Sequence, residues 1–415
     1  MAKRASVDHS VMHQMNLALI LNTLRLHAPV SRARLAALTG LNKATISSMV
    51  RDLLAGGFVR ELGTDPAASD VGRPAINLEL DPTGGYLVGA EIGVDFIAVS
   101  VTNFAVEVLV RRRESTVNTT QADILARTLE LVRECIAQAV PEGGRLFGLG
   151  VGVPGLVDQR TGTLLFAPNL QWRDVPLREL FERELRAAGL DVPVYVANEA
   201  NMAALGESYF GAGRDHTSLV YVSSGVGLGG GIVLGETLLS GASGFAGEIG
   251  HMTVKPDGPR CRCGNVGCWE MLATQRALCR HIQEAVAAGR TTTLKEAAGC
   301  DPARLTVDAI TEAARAGDAV ARDALVEVGR WLGIGIANLI NAINPHAVVF
   351  GGPLSIAHEF LLPVITEEVQ RRALFWSRQR AEILLAAHQA DAAVMGGIAM
   401  IHHDVIRHPL RWLVA

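Results

Sequence analysis

The sequence predicts a mixed α/β protein in which a small basic head of three helices and a β-hairpin precedes two α/β lobes of related type with a cleft between them. Three observations carry this expectation. The 415 residues exceed what one ordinary core accommodates. Helical periodicity followed by a hairpin pattern fills residues 1–80, whereas from Asp81-Pro82 onward β-rich runs and helical runs alternate in two rounds. The charge also divides at Leu80: nine Lys and Arg stand against six Asp and Glu before it, so the head is about +3 and the remainder about −7 of a total of −4.

In the head, Met12, Met15, Leu19, Ile20 and Leu24 recur at helical spacing and predict an amphipathic helix over 11–26, ended by Pro29. Ser31 is placed to cap a short helix reaching Leu38, which Gly40 breaks. Asn42 is placed to cap a third helix, 42–55. Strands are expected over 58–62 and 75–80, with a loop over 63–74 rich in Gly, Pro, Ser and Asp. Three helices and a hairpin in this order make a winged helix-turn-helix. Ala36 precedes the turn residue Gly40 by four, and Leu41 and Ile46 supply apolar anchors, which is the spacing two touching helices need.

The outward positions of the third helix then define a candidate DNA-reading face. Asn42, Lys43, Thr45, Ser47, Ser48 and Arg51 are polar and fit a major groove, the hydroxyls meeting phosphate and Asn42 or Lys43 reaching base edges. Arg73, on the wing loop, suits the adjacent minor groove or backbone. So small a head makes few contacts, and an inverted repeat read by a homodimer or homotetramer is expected.

Behind the head, strands are expected over 86–94, 97–102, 106–111 and 146–153, with a helix over 121–139. A second round begins near Val192 and adds strands over 219–222, 231–234 and 347–350, with helices over 307–343 and 392–406. No apolar run reaches the ~20 residues of a membrane helix, and the amino terminus lacks a secretory pattern, so a cytoplasmic protein with no membrane partner is expected. Six cysteines do not make a disulfide framework in a chain of this length. Cys135, Cys279 and Cys300 fall outside any pattern and read as core residues. His251, Cys261, Cys263 and Cys268 instead form a closed set of one imidazole and three thiolates, the composition of a structural zinc site without an open coordination position.

These residues bring a family into view. The stretch Glu248-Ile-Gly-His251 through Cys261-Arg-Cys-Gly-Asn-Val-Gly-Cys-Trp-Glu270 resembles the ROK family of bacterial sugar kinases and repressors, most of all its xylose-repressor-type members. Gly152-Val-Pro-Gly155, Pro168-Asn-Leu-Gln-Trp172, Asn198-Glu-Ala-Asn201, Ser224-Gly-Val-Gly-Leu-Gly-Gly-Gly231 and Asn344-Pro345 leading to Gly351-Gly352 support it. The resemblance implies a two-lobed actin-like sugar-kinase fold whose interlobe cleft holds a sugar. It divides the chain into a head, 1–80, a first lobe, 81–197 with 388–415, and a second lobe with the zinc loop, 198–387. By resemblance Asn169, Asn198, Glu199, Glu248, His251 and Glu270 contact the sugar, a role suited to carboxylates and amides facing neighbouring hydroxyls.

Two departures from the kinase pattern argue against catalysis and leave no catalytic residue to name. Where ROK kinases carry an Asp-x-Gly-Gly-Thr-Lys phosphate loop, this chain reads Glu91-Ile-Gly-Val-Asp-Phe96, which removes donors and adds a negative charge. Where the kinases carry a catalytic Asp, Glu199 is one methylene longer, and a misplacement of about 1 Å costs around 100-fold in rate. The expectation is a sugar-responsive repressor that is not an enzyme. The alternatives are a bifunctional kinase with a DNA-binding head and a repressor controlled by a protein partner. The residues do not distinguish an aldohexose, an aldopentose or an amino sugar.

Overall fold

A computed structural model describes residues 9–64, 76–117, 119–294 and 305–413. The head contains α1 (His9–His27), β1 (Val30–Ser31), α2 (Arg32–Thr39), α3 (Lys43–Ala55), β2 (Val59–Thr64) and β3 (Ile76–Leu80), with its strands in the order β1-β3-β2. Local chemistry sets the helix ends. The Ser31 hydroxyl accepts from Arg34 N, Gly40 ends α2 in the left-handed region at φ 73°, and the Asn42 side chain caps α3. Leu17, Ile20, Leu21 and Leu24 of α1 are buried along with Leu35, Ile46, Val50 and Leu53, each worth ~1.5–3 kcal/mol of apolar burial.

Two details of the head differ from expectation. Met12, Met15 and Leu19 face solvent, because α1 carries two apolar stripes and the other one turns inward. Leu41 is only partly covered, and Leu35 is the buried anchor of α2. The two-residue β1 carried no sequence signal of its own, since it exists only through pairing with Leu78 and Asn77 of β3.

Next in the chain come β4 (Tyr86–Ile92), β5 (Phe96–Asn103), β6 (Val108–Ser115), α4 (Gln121–Ala139) and β7 (Leu146–Val153). Three short antiparallel strands follow, β8 (Leu156–Asp158), β9 (Thr163–Ala167) and β10 (Trp172–Val175), and then α5 (Leu177–Ala187) and β11 (Val194–Asn198). One sheet runs β11-β7-β4-β5-β6. Its strands β4 and β5 pair antiparallel from Tyr86 with Asn103 to Ile92 with Ile97, and both are buried along nearly their whole length.

The remaining elements are α6 (Glu199–Tyr209), β12 (Ser218–Ser224), β13 (Leu228–Leu234), β14 (Thr237–Leu238), α7 (Gln275–Ala287), α8 (Val307–Arg315), α9 (Ala319–Ile343), β15 (Ala347–Gly351), α10 (His358–Arg372), α11 (Phe375–Arg378), β16 (Glu382–Leu385), α12 (Ala392–Arg407) and α13 (Leu410–Leu413). A second sheet runs β14-β13-β12-β15-β16, with β15 parallel to both neighbours. The helix expected over 307–343 is two helices. Gly317 takes φ 95°, and the Asp318 carboxylate caps α9 by accepting from Val320 N and Ala321 N.

The chain forms two compact units. One gathers the described residues up to Val151 with Pro176–Val196 and those from Gly397 on, and therefore contains the head and the first sheet together. The other contains Gly152–Val175 and Ala197–Gly396. Its large core joins Trp269, Leu278, Ile310, Leu325, Leu332 and Phe350.

Candidate functional site

The head presents α3 with one buried and one open face. Ile46, Met49, Val50 and Leu53 point inward, whereas Asn42, Lys43, Ser47, Ser48 and Arg51 are exposed and Thr45 is half-buried. Asn42 Oδ1 accepts from Thr45 N at 2.8 Å, and Ser47 Oγ donates to Lys43 O at 2.9 Å. These two side chains thus hold the helix start while staying at its surface. Arg32 pairs with Glu61 and Arg60 with Glu79, whereas Lys43 and Arg51 form no ion pair with the described residues. Arg34, exposed in the first turn of α2, belongs to the same open cationic set, although the helix-turn-helix spacing did not single it out. Arg73 lies outside the described residues.

The second unit assembles most of the proposed sugar contacts. Asn198 caps α6, its Oδ1 accepting from Ala200 N at 2.9 Å and Asn201 N at 3.1 Å. Its Nδ2 donates to Gly155 O at 3.1 Å and to Glu199 Oε2 at 2.7 Å, which fixes the Glu199 carboxylate. Glu270 stands in a 3-10 turn, Trp269–Met271, anchored by the fully buried Trp269, whose Nε1 donates to Trp331 O at 2.8 Å. That ring lies against Gly335 of α9, where a Cβ would approach it to 2.1 Å.

The glycine-rich β12–β13 turn runs between the two acids. A Cβ at Gly227 would stand 3.8 Å from Glu270 Oε2, and one at Gly229 would stand 4.0 Å from Glu199 Oε1. Gly229 also packs closely on α6, since its Cβ would meet Ala200 Cβ at 3.1 Å, a role that the sequence motif alone did not reveal. Glu248 precedes the turn Ile249–His251, and burial holds its carboxyl above the usual range, opposed by His251 and reinforced by Glu270. Asn169 is exposed in the β9–β10 turn of the same unit and makes no described hydrogen bond to the other five.

Beside Glu270 lies a cluster of metal-ligating atoms. His251, Cys261, Cys263 and Cys268 bring one ligand atom each to within 4.8 Å of one another. Cys263 Sγ and Cys268 Sγ are 3.6 Å apart, and Cys261 Sγ is 3.8 Å from His251 Nδ1. Around a tetrahedral ion with ~2.3 Å thiolate bonds, ligand atoms stand ~3.5–3.8 Å apart, the spacing of these two pairs, and no other pair of the set exceeds 4.8 Å. Backbone geometry closes the loop, with Gly264 at φ 96°, Gly267 at φ 71° and bridges between Thr253 and Cys268 and between Arg260 and Val266. Cys261 Sγ donates to Glu270 Oε1 at 2.9 Å, and burial followed by that bond pushes its thiol upward, so a cation is what would ionise it.

The turn between β4 and β5 is filled. Gly93 N donates to Phe96 O at 2.8 Å, and a Cβ on Gly93 would come within 2.2 Å of the Phe96 ring. The Arg113 guanidinium covers that ring, 3.5 Å from its centroid.

Comparison with known proteins agrees with this geometry. Residues 87–404 match the ROK family. The xylose repressor of Caldicellulosiruptor bescii is 34% identical over 403 residues, covering 97% of this chain and 99% of its own. Among solved structures, a ROK family transcriptional regulator, a homologue of the Escherichia coli MLC protein, superposes with a TM-score of 0.81 at 28% identity over 98% of this chain and all of its own. A ROK family glucokinase from Streptomyces griseus, in complex with glucose and AMPPNP, gives 0.64 at 35% identity over 76% and 99%.

Proposed function

The chain belongs to the ROK family, and on that premise we propose that it is a sugar-responsive DNA-binding repressor that binds its effector without phosphorylating it. The observation that carries this reading is that the candidate hydroxyl-binding residues are kept in one unit while the phosphate turn of the other is filled. Asn198 still fixes Glu199, while Phe96 and Arg113 fill the turn that a nucleotide phosphate needs open. Kinases share the family, but they cover only the body, whereas the repressor relatives span the head as well.

In this reading the domains are a head, 1–80, a first lobe, 81–197 with 388–415, and a second lobe, 198–387. Asn42, Lys43, Thr45, Ser47, Ser48, Arg51 and Arg73 meet operator DNA. Asn169, Asn198, Glu199, Glu248, His251 and Glu270 hold the sugar. Zinc on His251, Cys261, Cys263 and Cys268 is structural: it orders the loop and fixes His251 through Nδ1, leaving the other ring nitrogen for a hydroxyl. The sugar shifts DNA affinity only by binding one conformer better than the other.

The test is a mobility shift on the inverted repeat upstream of the flanking genes, with a sugar panel that starts from xylose and glucose. A shift that one sugar changes at least ~10-fold, with no sugar-dependent ATP turnover, is expected. Operator binding indifferent to every sugar overturns the effector role, and turnover abolished in Glu199→Ala overturns the loss of catalysis.

A further inference from the structure

Behind Glu270 lie polar side chains too deep for a ligand to touch. Ser224, the last residue of β12, is 0% exposed, and Thr274, which precedes α7, is 2% exposed. Ser224 Oγ donates to Ala273 O at 2.6 Å, Gln275 N donates to Gly225 O at 2.9 Å, and Thr274 Oγ1 donates to Glu270 O at 2.8 Å. These bonds tie residues 270–275 to the start of the glycine-rich β12–β13 turn. The other side of that turn is held as well. Gly352 packs on it so closely that a Cβ would stand 2.6 Å from Ser223 Oγ and 2.7 Å from Ser224 O, and a Cβ on Gly225 would meet Pro353 Cδ at 2.9 Å. Thr274 is the N-cap of α7, a position at which a threonine hydroxyl ordinarily accepts from a backbone N–H of the first turn. It makes no such bond and donates to Glu270 O instead.

We infer, on the sugar-binding reading of Glu270, that Ser224 and Thr274 are positioning residues, which hold the Glu270 carboxylate at a fixed distance from the glycine-rich turn. A carboxylate grips a hydroxyl only within a narrow range of distance and angle, and it needs a support that does not yield when the ligand arrives. The 3-10 turn Trp269–Met271 is too short to supply that rigidity alone, so the place of Glu270 is set by what it is tied to. The metal loop holds one flank, Cys261 Sγ donating to Glu270 Oε1 at 2.9 Å. The two hydroxyls hold the other. Neither of them bonds to a metal ligand, so the two supports can be removed separately.

The experiment measures sugar binding by calorimetry on the full chain loaded with zinc, with xylose, glucose and glucosamine as probes. For a sugar that the parent chain binds, Ser224→Ala and the isosteric Thr274→Val each weaken binding at least ~10-fold, the scale of a lost hydrogen bond to a charged group. Zinc content stays at the parent level, and the thermal midpoint stays within about 5 °C of it. Ser224→Thr, which keeps the hydroxyl, retains parent affinity. In a Glu270→Gln chain, Ser224→Ala weakens binding no further, because both changes act through one carboxylate. Thr274→Val changes no volume and carries the test where loss of Ser224 disturbs β12. Parent affinity in both variants overturns the inference, as does a loss that adds in full to that of Glu270→Gln or that follows the loss of zinc. A parent chain that binds none of the three sugars overturns the effector reading and the inference with it, whereas sugar bound equally by parent and variants overturns the inference alone.

Discussion

His402 is fully buried beneath the head, its ring 5.0 Å from that of Phe104 and its Nε2 3.1 Å from Phe104 O. Burial, reinforced by the charge of Arg25, pushes its pKa down to about 3, and burial pushes His403 down to about 4. In the unfolded chain both imidazoles take up protons near pH 6.5, whereas the folded chain refuses them until far lower pH. The unfolded state therefore binds more protons throughout that interval, and stability falls as the pH drops below about 6.5, by up to about 1.4 kcal/mol per pH unit for each histidine. Denaturant midpoints measured between pH 7 and 4.5 should show this decline, and His402→Leu should roughly halve its slope, leaving the part due to His403. A second prediction concerns Asn42. Asn42→Ala removes the α3 cap and should cost about 0.5–2 kcal/mol in the head, with weaker operator binding in a mobility shift. The two residues also mark what sequence reasoning reaches. The caps at Ser31 and Asn42 were legible because capping is decided within three residues, whereas the burial of His402 depends on Phe104, distant in the chain, and carried no local signal.

The gathering of His251, Cys261, Cys263 and Cys268 in one loop follows from their spacing, and so it was readable. Its neighbours were not. The Cys261–Glu270 bond and the placing of Gly227 and Gly229 beside two carboxylates arise where separate segments meet. Likewise β8, β9 and β10 are three to five residues long and pair only with one another, too short for periodicity to reveal. Helix α1 shows a different limit. Both of its sides carry large apolar residues, and only the three-dimensional head decides that Ile20 turns inward and Met15 outward. The loop yields the third prediction. Cys268→Ser leaves three ligands and should reduce metal affinity by more than the about 10–100-fold that loss of a supporting hydrogen-bond partner costs. Because His251 and Glu270 depend on that loop, sugar binding measured by calorimetry should be lost with the zinc. Bound metal should fall in parallel, and far-ultraviolet circular dichroism should barely change, since the loop contains little regular structure.

Within the unit that contains the head, the head is joined to the first sheet by aromatic packing. Phe58, at the end of α3, lies 5.4 Å from Phe104 and 5.9 Å from Phe147, and Phe147 meets the edge of Trp412 at 5.1 Å. Two glycines make room for the joint. A Cβ at Gly56 would stand 2.1 Å from Leu413 Cδ2, and one at Gly84 would stand 2.2 Å from Gly57 O. In the other unit, Gly396 of α12 lies so close to α6 that a Cβ would meet Met202 O at 1.8 Å. The aromatic joint is a packed contact through which the head meets the rest of its own unit, and an effector signal that reaches the head through packing crosses it. Removing the Phe58 ring should cost about 3–5 kcal/mol of this packing, while the head retains its own core of Leu17, Ile20, Leu24, Val50 and Leu53. The expected outcome of Phe58→Ala is a second, earlier thermal transition for the head, with operator still bound but with the effector's influence on that binding reduced. Trp412→Ala, which leaves the head core untouched, should reproduce the loss of effector response with a smaller loss of stability. Calorimetric scans and sugar-titrated mobility shifts on the two variants decide the matter: a full effector response in both would show that the signal does not pass through this joint.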